Sequence, residues 1–216
     1  MFFWFKKKKS PAMTRAELIN LLIKKRRYSS YLEIGVNTPA QPGWSHDSIH
    51  VESKHGVDPA PEVRSTFPMT SDEFFAKHIT QKYDLIFVDG LHLFEQAYRD
   101  IINSLKWLSD GGTIVVHDCN PTEEITQRRE RASDAWHGDV WKAILKLRTE
   151  NRNINIVTID TDEVCAVITR GHQALLPLET KPETMYAYEY FDGHRQDILH
   201  LMSVEEFTRR LGSLLQ

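Results

Sequence analysis

Short runs of consecutive apolar residues alternate along this chain with longer stretches in which apolar residues recur every three or four positions. Tyr31 to Val36 reads as the first strand, and Leu85 to Val88 and Thr113 to Val116 are runs of the first kind, suited to strands buried on both faces of a parallel sheet. Between the last two, Phe94, Ala97 or Tyr98, Ile101, Leu105 and Leu108 keep helical spacing, which predicts an amphipathic helix with one face on that sheet. Asp110-Gly111-Gly112 then turns the chain into the next strand. Upstream, Thr14 with Glu17 three residues later opens a helix to Arg27 with a stripe of Leu18, Leu21 and Leu22. His55 to Pro59 reads as a second short strand ending in an acid and Ser65 to Met69 as a third, with Thr70 or Ser71 capping a helix through Lys77. Gln41 to Val51 reads as a loop or short helix. Gly138 to Thr149 is helical, and Ile154 to Asp160 and Val164 to Thr169 form a hairpin about Thr161-Asp162. The tail holds Pro177, Pro182, an aromatic cluster from Tyr186 to Phe191, and a last helix, Val204 to Leu214, with Ser203 and Glu206 as its capping box.

Five alternations of strand and helix closed by one antiparallel strand predict an α/β fold: a Rossmann-like, doubly wound, mostly parallel sheet. Three parts follow: a basic N-terminal segment and helix (1–27), a central domain (28–170) and a C-terminal extension packing on it (171–216). Hydrophobic content of 41% and charged content of 26% argue for a soluble globular chain. Residues 1–27 carry +8 against −11 over the remainder, so the basic character is local. Phe2, Phe3, Trp4 and Phe5 ahead of Lys6 are too few to span a bilayer, and their charges follow the apolar run, which is not how a secretory signal is built. Peripheral contact with an anionic membrane is one reading of this end and a solvated terminus is the other. With only Cys119 and Cys165 no disulfide framework is implied, which fits the cytoplasm. No nucleic-acid-binding signature is present.

Chemistry is expected beyond the carboxyl ends of the strands, where open α/β sheets bind ligands. Asp89-Gly90-Leu91-His92 and His117-Asp118-Cys119-Asn120 both lie there. Trp136 to Trp141 offers aromatic faces for a ring substrate, or a helix start with Trp141 in the core. The segment from Glu123 to Arg131 reads as a charged lid or as a solvated loop, and the tyrosines at 186–190 as a cover for the site, a homodimer contact or packing of the extension.

These residues resemble the class I S-adenosylmethionine-dependent methyltransferases. Tyr31-Leu-Glu-Ile-Gly35 resembles that family's first motif and Gly56-Val-Asp58-Pro the acidic end of its second strand. VDGLH (88–92), GGTIVVHD (111–118) and GDVWK (138–142) resemble the small-domain group that includes O-methyltransferases of sugars and other natural-product hydroxyls. The resemblance implies the seven-stranded methyltransferase sheet and S-adenosylmethionine as donor. Glu33 and Gly35 would lie against its amino-acid part, Asp58 at the ribose, Ser71 and Asp72 at the adenine, and Asp89 beside the reacting end. It further implies a small-molecule acceptor, a saccharide or secondary metabolite methylated on a hydroxyl. One departure stands out: the family's second glycine is here Pro39, which fixes φ and lacks an N–H. That supports an alternative, a non-catalytic domain that kept the fold and lost the donor. A nucleotide-dependent oxidoreductase ranks last, because Gly35-Val-Asn-Thr-Pro39 lacks the G-x-G-x-x-G spacing.

Two routes to a deprotonated acceptor are open. One uses Mg²⁺ held by Asp89, His117 and Asp118. The other is metal-free, with His92 or His117 as general base. At a helix start, the dipole is expected to lower the pKa of His92 and keep it neutral.

Overall fold

Successive side chains of a strand point to opposite faces, so each apolar run here serves two cores. The computed structural model, which describes residues 13–41, 44–177 and 180–214, shows seven strands in one sheet. They are β1 (Ser30–Ile34), β2 (Ser53–Val57), β3 (Tyr83–Val88), β4 (Leu108–Val116), β5 (Ile154–Ile159), β6 (Cys165–Arg170) and β7 (Leu201–Met202). Their spatial order is β2-β1-β3-β4-β6-β5-β7; β6 runs antiparallel to both neighbours and every other pairing is parallel. This is the expected Rossmann-like sheet.

Leu85 and Phe87 of β3 enter one core, with Leu18, Ile19 and Leu22 of α1 (Arg15–Arg26) and Phe207 and Leu211 of α7 (Val204–Leu214). Ile86 and Val88 enter the other, with Ala97 and Ile101 of α3 (Phe94–Trp107), Trp141 and Ile144 of α4 (Trp141–Glu150) and Phe191 of α6 (Tyr188–Leu199). The start of α1 is the predicted capping box: the Thr14 hydroxyl accepts the Glu17 N–H at 3.3 Å and the Glu17 carboxylate accepts the Thr14 N–H at 2.7 Å.

Four expectations change. Ser65 to Met69 is not a strand: Phe67 alone bridges to Val57, and at Pro68 the chain turns so that the Met69 N–H bonds back to the Phe67 carbonyl. The seventh strand comes instead from the tail, where Leu201 and Met202 pair with Thr158 and Ile159. Two residues are too few for periodicity to reveal. Asp110 to Gly112 is an excursion within β4, since Leu108 still pairs with Tyr83 before Thr113 pairs with Leu85. The helix expected from Gly138 begins at Trp141. A short helix, α2 (Ser71–Glu73), continues as one wide turn through Phe74–His78, and α5 spans Pro182–Met185.

From β1 the chain passes outward to β2, then returns to place β3 on the other side of β1. The carboxyl ends of β1 and β3 therefore flank a topological switch point, where a crevice opens.

Candidate active site

Gly35 closes β1 at φ +83°, and a Cβ there would lie 2.2 Å from the Asp89 carbonyl oxygen, so only glycine lets the two strand ends meet. The Asp89 N–H completes that meeting by donating to the Ile34 carbonyl at 2.8 Å. Asp58, at the end of β2, accepts the Val36 and Asn37 N–H groups at 3.0 and 3.1 Å and the Ala60 N–H at 2.9 Å. Its carboxylate thus organises the loop after β1. Pro39 is exposed at the second position of the turn closed by Gln41 N–H on the Thr38 carbonyl (3.0 Å), where its fixed φ suits the turn and no N–H is needed. Glu33 is 2% exposed and bonded by Tyr31 (3.0 Å) and His46, yet burial keeps its carboxyl above the usual range.

Below this loop lies a cavity of about 810 Å³ that reaches Glu33, Gly35, Asp58, Ser71, Asp72, Asp89, His92, His117 and Asp118, and so brings together every residue singled out as a cofactor, metal or base candidate. Pro39 does not line it. Ser71 and Asp72 line it together with Gln96, whose side-chain amide donates to both. Its acidic lining, with Arg15 and Arg131 as its lysine or arginine complement, favours a ligand that carries positive charge.

Within the cavity lining two carboxylates and two imidazoles converge. His92 Nδ1 donates to the Trp136 carbonyl at 3.0 Å, which turns Nε2 toward Asp89 Oδ1 (3.4 Å) and Asp118 Oδ2 (3.3 Å). His117 Nε2 donates to the Asp162 carbonyl at 3.0 Å while Nδ1 faces Asp89 Oδ1 (3.2 Å) and Asp118 Oδ2 (3.1 Å). A neutral imidazole has one N–H, so His117, facing acceptors on both sides, is an imidazolium. Burial would depress its pKa, but the charges of Asp118 and Asp89 hold it well above the ordinary value. Burial would likewise raise the Asp89 carboxyl, but His117, His92 and Arg15 keep it far below the carboxylate range. The expected depression of the His92 pKa is reversed: burial pulls it down, but the hydrogen bond His92 donates to Asp89 and the charges of Asp118 and Asp89 outweigh burial.

Arg15, at the first position of α1, reaches this cluster from outside the strand-end motifs. Its side chain is 13% exposed; Nη1 bonds Asp89 Oδ2 at 3.0 Å and Nε bonds Asp162 Oδ2 at 2.9 Å. Asp162 belongs to the β5–β6 turn, where Glu163 (φ 49°) and Val164 (φ 68°) are left-handed. A β-branched residue rarely adopts that conformation, and here Glu163 is held by His137 Nε2 at 2.8 Å and the turn by Arg15. Gly138 (φ +57°) admits the 136–141 segment, since a Cβ there would fall 1.8 Å from the His92 carbonyl oxygen. Trp136 stacks on His92 at 5.1 Å and lines the cavity, while Trp141 is fully buried against Phe191. Asp139 caps α3 by accepting the Phe94 N–H at 2.7 Å and pairs with Arg129 and Lys142.

Arg15, His46, Gln96, His137 and Glu163 carry no motif; tertiary packing alone delivers them. Asp139 sits inside GDVWK, so its prominence was visible but its partner, the start of α3, was not. Among the described residues, Asp89, His92 and Asp118 offer ligand atoms within 4.8 Å of one another, as do His117, Asp162 and Cys165. The former set has His92 where the expected set of Asp89, His117 and Asp118 has His117. Both cysteines are buried with thiols raised by burial, Cys165 to about 11, which suits neither as a nucleophile. No helix of the described residues is long and apolar enough to cross a membrane; Phe2 to Lys6 lie outside them.

Residues 32–119 match the model of a family described as a methyltransferase domain. Among solved structures the chain resembles cofactor-bound Rv0187 from MTB, with TM-score 0.56 and 14% identity over 74% of this chain and 80% of that one. It also resembles the SAH-bound methyltransferase PaMTH1 of Podospora anserina, with TM-score 0.56 and 16% identity over 73% and 78% of the two chains. The O-methyltransferase TomG of Streptomyces achromogenes, in complex with SAM, gives TM-score 0.51 and 14% identity over 72% and 79%. These likenesses are of fold. No curated protein matches the sequence.

Proposed function

We propose, from residues 32–119 as a class I methyltransferase domain, that this chain transfers a methyl group from S-adenosylmethionine to a hydroxyl of a small molecule, a saccharide or secondary metabolite. The observation that carries the reading is the convergence of Asp89, His92 and Asp118 in the same cavity that Asp58, Ser71 and Asp72 line. On this reading Ser71 and Asp72 take the adenine and Asp58 the ribose. The ammonium and sulfonium of the donor suit the acidic lining. The position of Pro39, exposed and outside the lining, supports this reading over a domain that has lost the donor.

The cluster also suits a divalent cation. A metal-binding histidine usually donates its other ring N–H to a carbonyl or carboxylate, and His92 does so toward Trp136, aiming Nε2 at the site shared by both carboxylates. Two oxygens and one nitrogen accommodate Mn²⁺ or Mg²⁺. Bound there, the cation would draw in the acceptor oxygen and lower its pKa. The chain's own residues do the rest: Asp89 and Asp118 fix His92, Trp136 offers a face to the acceptor ring, and His117 stays an immobile cation that orients both carboxylates. Methyl transfer needs an in-line approach more than acid–base work, so this positioning carries much of the rate.

The test is transfer of a labelled methyl group from S-adenosylmethionine to a panel of catechols, flavonoids and deoxysugar glycosides, with Mn²⁺ or chelator present. Transfer that needs the metal and falls at least about a hundredfold in His92→Ala supports the assignment, as loss of a well-placed catalytic or metal-binding group commonly costs that much. Binding of the donor without transfer to any member would count against the hydroxyl class.

A further inference from the structure

We infer that a second cavity, between the last turn of α4 and the helix α6, is a binding site for a small organic carboxylate held by Arg148. It encloses about 410 Å³ and, among the described residues, shares no lining residue with the cavity above. Gln173, 7% exposed, gives its amide hydrogens to the Leu147 and Asn151 carbonyls at 3.1 and 2.8 Å. Its oxygen is thereby aimed at the Arg148 guanidinium, where it accepts from Nη1 at 3.1 Å. The protein offers this side chain little else: Nε is buried with no partner, and no carboxylate among the described residues lies within ion-pair reach. Burial lowers the pKa of the guanidinium and no neighbouring charge restores it, the reverse of Arg15 with its two carboxylates.

A cation that burial penalises and no acid compensates is where a bound anion gains most. Held in one direction by Gln173, it needs little further ordering to receive one. The other walls set what the anion is attached to. Tyr190 and His194, one turn apart on α6, stack with ring centroids 4.0 Å apart and 15° between planes. With Leu176 and Pro177 they give the cavity aromatic and apolar faces. Leu176 is tied to α4 by its N–H on the Arg148 carbonyl at 2.8 Å, so this wall and the cation are one unit. Asp197 also lines the cavity, and its charge opposes a dianion, which favours a carboxylate over a phosphate. The volume lies near the lower end of the range of about 300–1,000 Å³ for ligand sites, so the body is small, about one ring.

The experiment is a titration of the isotope-labelled full chain, followed by two-dimensional amide NMR, with benzoate, its neutral counterpart benzamide, and inorganic phosphate. Benzoate should shift the amides of the last turn of α4 and of α6. It should bind at least about tenfold more tightly than benzamide or phosphate, the weight of a hydrogen bond to a charged group. Arg148→Met should remove the preference of benzoate over benzamide. If that variant does not fold, the comparison of the three ligands on the wild type carries the test. No shifts at millimolar benzoate, shifts confined to other elements, benzamide or phosphate binding as tightly as benzoate, or a preference kept in Arg148→Met would each overturn the inference. None of these results depends on S-adenosylmethionine binding, so the proposed function stands or falls separately.

Discussion

Arg15→Met removes the one guanidinium that joins the N-terminal helix to the strand-end cluster. Arg15 is paired with Asp89 and Asp162 at 3.0 and 2.9 Å with its side chain 13% exposed. Removing one partner of a buried ion pair costs about 3–5 kcal/mol, because the other charge is left uncompensated. Here Asp89 keeps His117 and His92, and Asp162, 21% exposed, regains some water, which puts the expected loss at about 3 kcal/mol. For a chain of this length that corresponds to a fall in melting temperature of about 6–12 °C. Arg15→Lys, which keeps the charge but not the fork, should fall between. The pH dependence identifies the cause. Arg15 helps to depress the Asp89 carboxyl, and a depressed carboxyl contributes stability that is present above its unfolded pKa and lost as pH falls through the folded value. The gap between wild type and variant should therefore be full at neutrality and still present at about pH 4, closing only in more strongly acid solution as the folded-state Asp89 carboxyl takes up its proton. Melting curves followed by circular dichroism from pH 3 to pH 8 measure this. A variant within 2 °C of wild type at pH 7, by the scale of about 2–4 °C per kcal/mol, or a gap that has already closed by about pH 5, would refute the reasoning.

Three further outcomes follow from the geometry. Gly35→Ala drives a methyl group into the Asp89 carbonyl at 2.2 Å and should abolish S-adenosylhomocysteine binding while costing about 3 kcal/mol or more, read from denaturant unfolding. Asp100 is raised from 3.8 to about 6, so it favours folding in its protonated form; that contribution is intact below 3.8 and lost as pH rises through about 6. Asp100→Asn should thus change little at pH 4 and raise stability by about 2–3 kcal/mol at pH 8, and a variant destabilised equally at both would contradict the assignment. Asp139→Ala leaves the Phe94 N–H uncapped and frees Arg129 and Lys142, and should lower stability by about 2–4 kcal/mol; hydrogen exchange should show the first turn of α3 opening before the rest.

What was legible in the chain was whatever local pattern decides. The runs at 85–88 and 113–116 are strands because continuous apolar residues have no other place than between two cores, and Asp58, Asp89 and Asp118 follow the ends of strands, where the chain leaves that interior. Gly35 was legible only through the family resemblance, as a glycine against the donor; the close approach to the Asp89 backbone that requires it is set by a strand roughly 50 residues on in sequence. Illegible were features set by distant partners. Ser65 to Met69 has strand composition, but Pro68 leaves it a single bridge. The edge it vacates has no counterpart at the other side, where two tail residues, 201 and 202, extend the sheet. The charge state of His92 depends on two carboxylates 26 and 3 residues away in sequence, which outweigh the helix dipole that local reasoning invoked. In the helix that Arg15 opens, Lys24 and Lys25 are exposed and Arg26 reaches the Gly111 carbonyl, and nothing in its sequence neighbours marks Arg15 as the one that turns inward.

The most direct test of the central claim is titration calorimetry of the purified full chain with S-adenosylhomocysteine. The account predicts micromolar, one-to-one binding that is lost in Asp58→Ala, because that carboxylate both organises the loop after β1 and lines the cavity. Heat no different from dilution at millimolar ligand, with the chain folded, would contradict it.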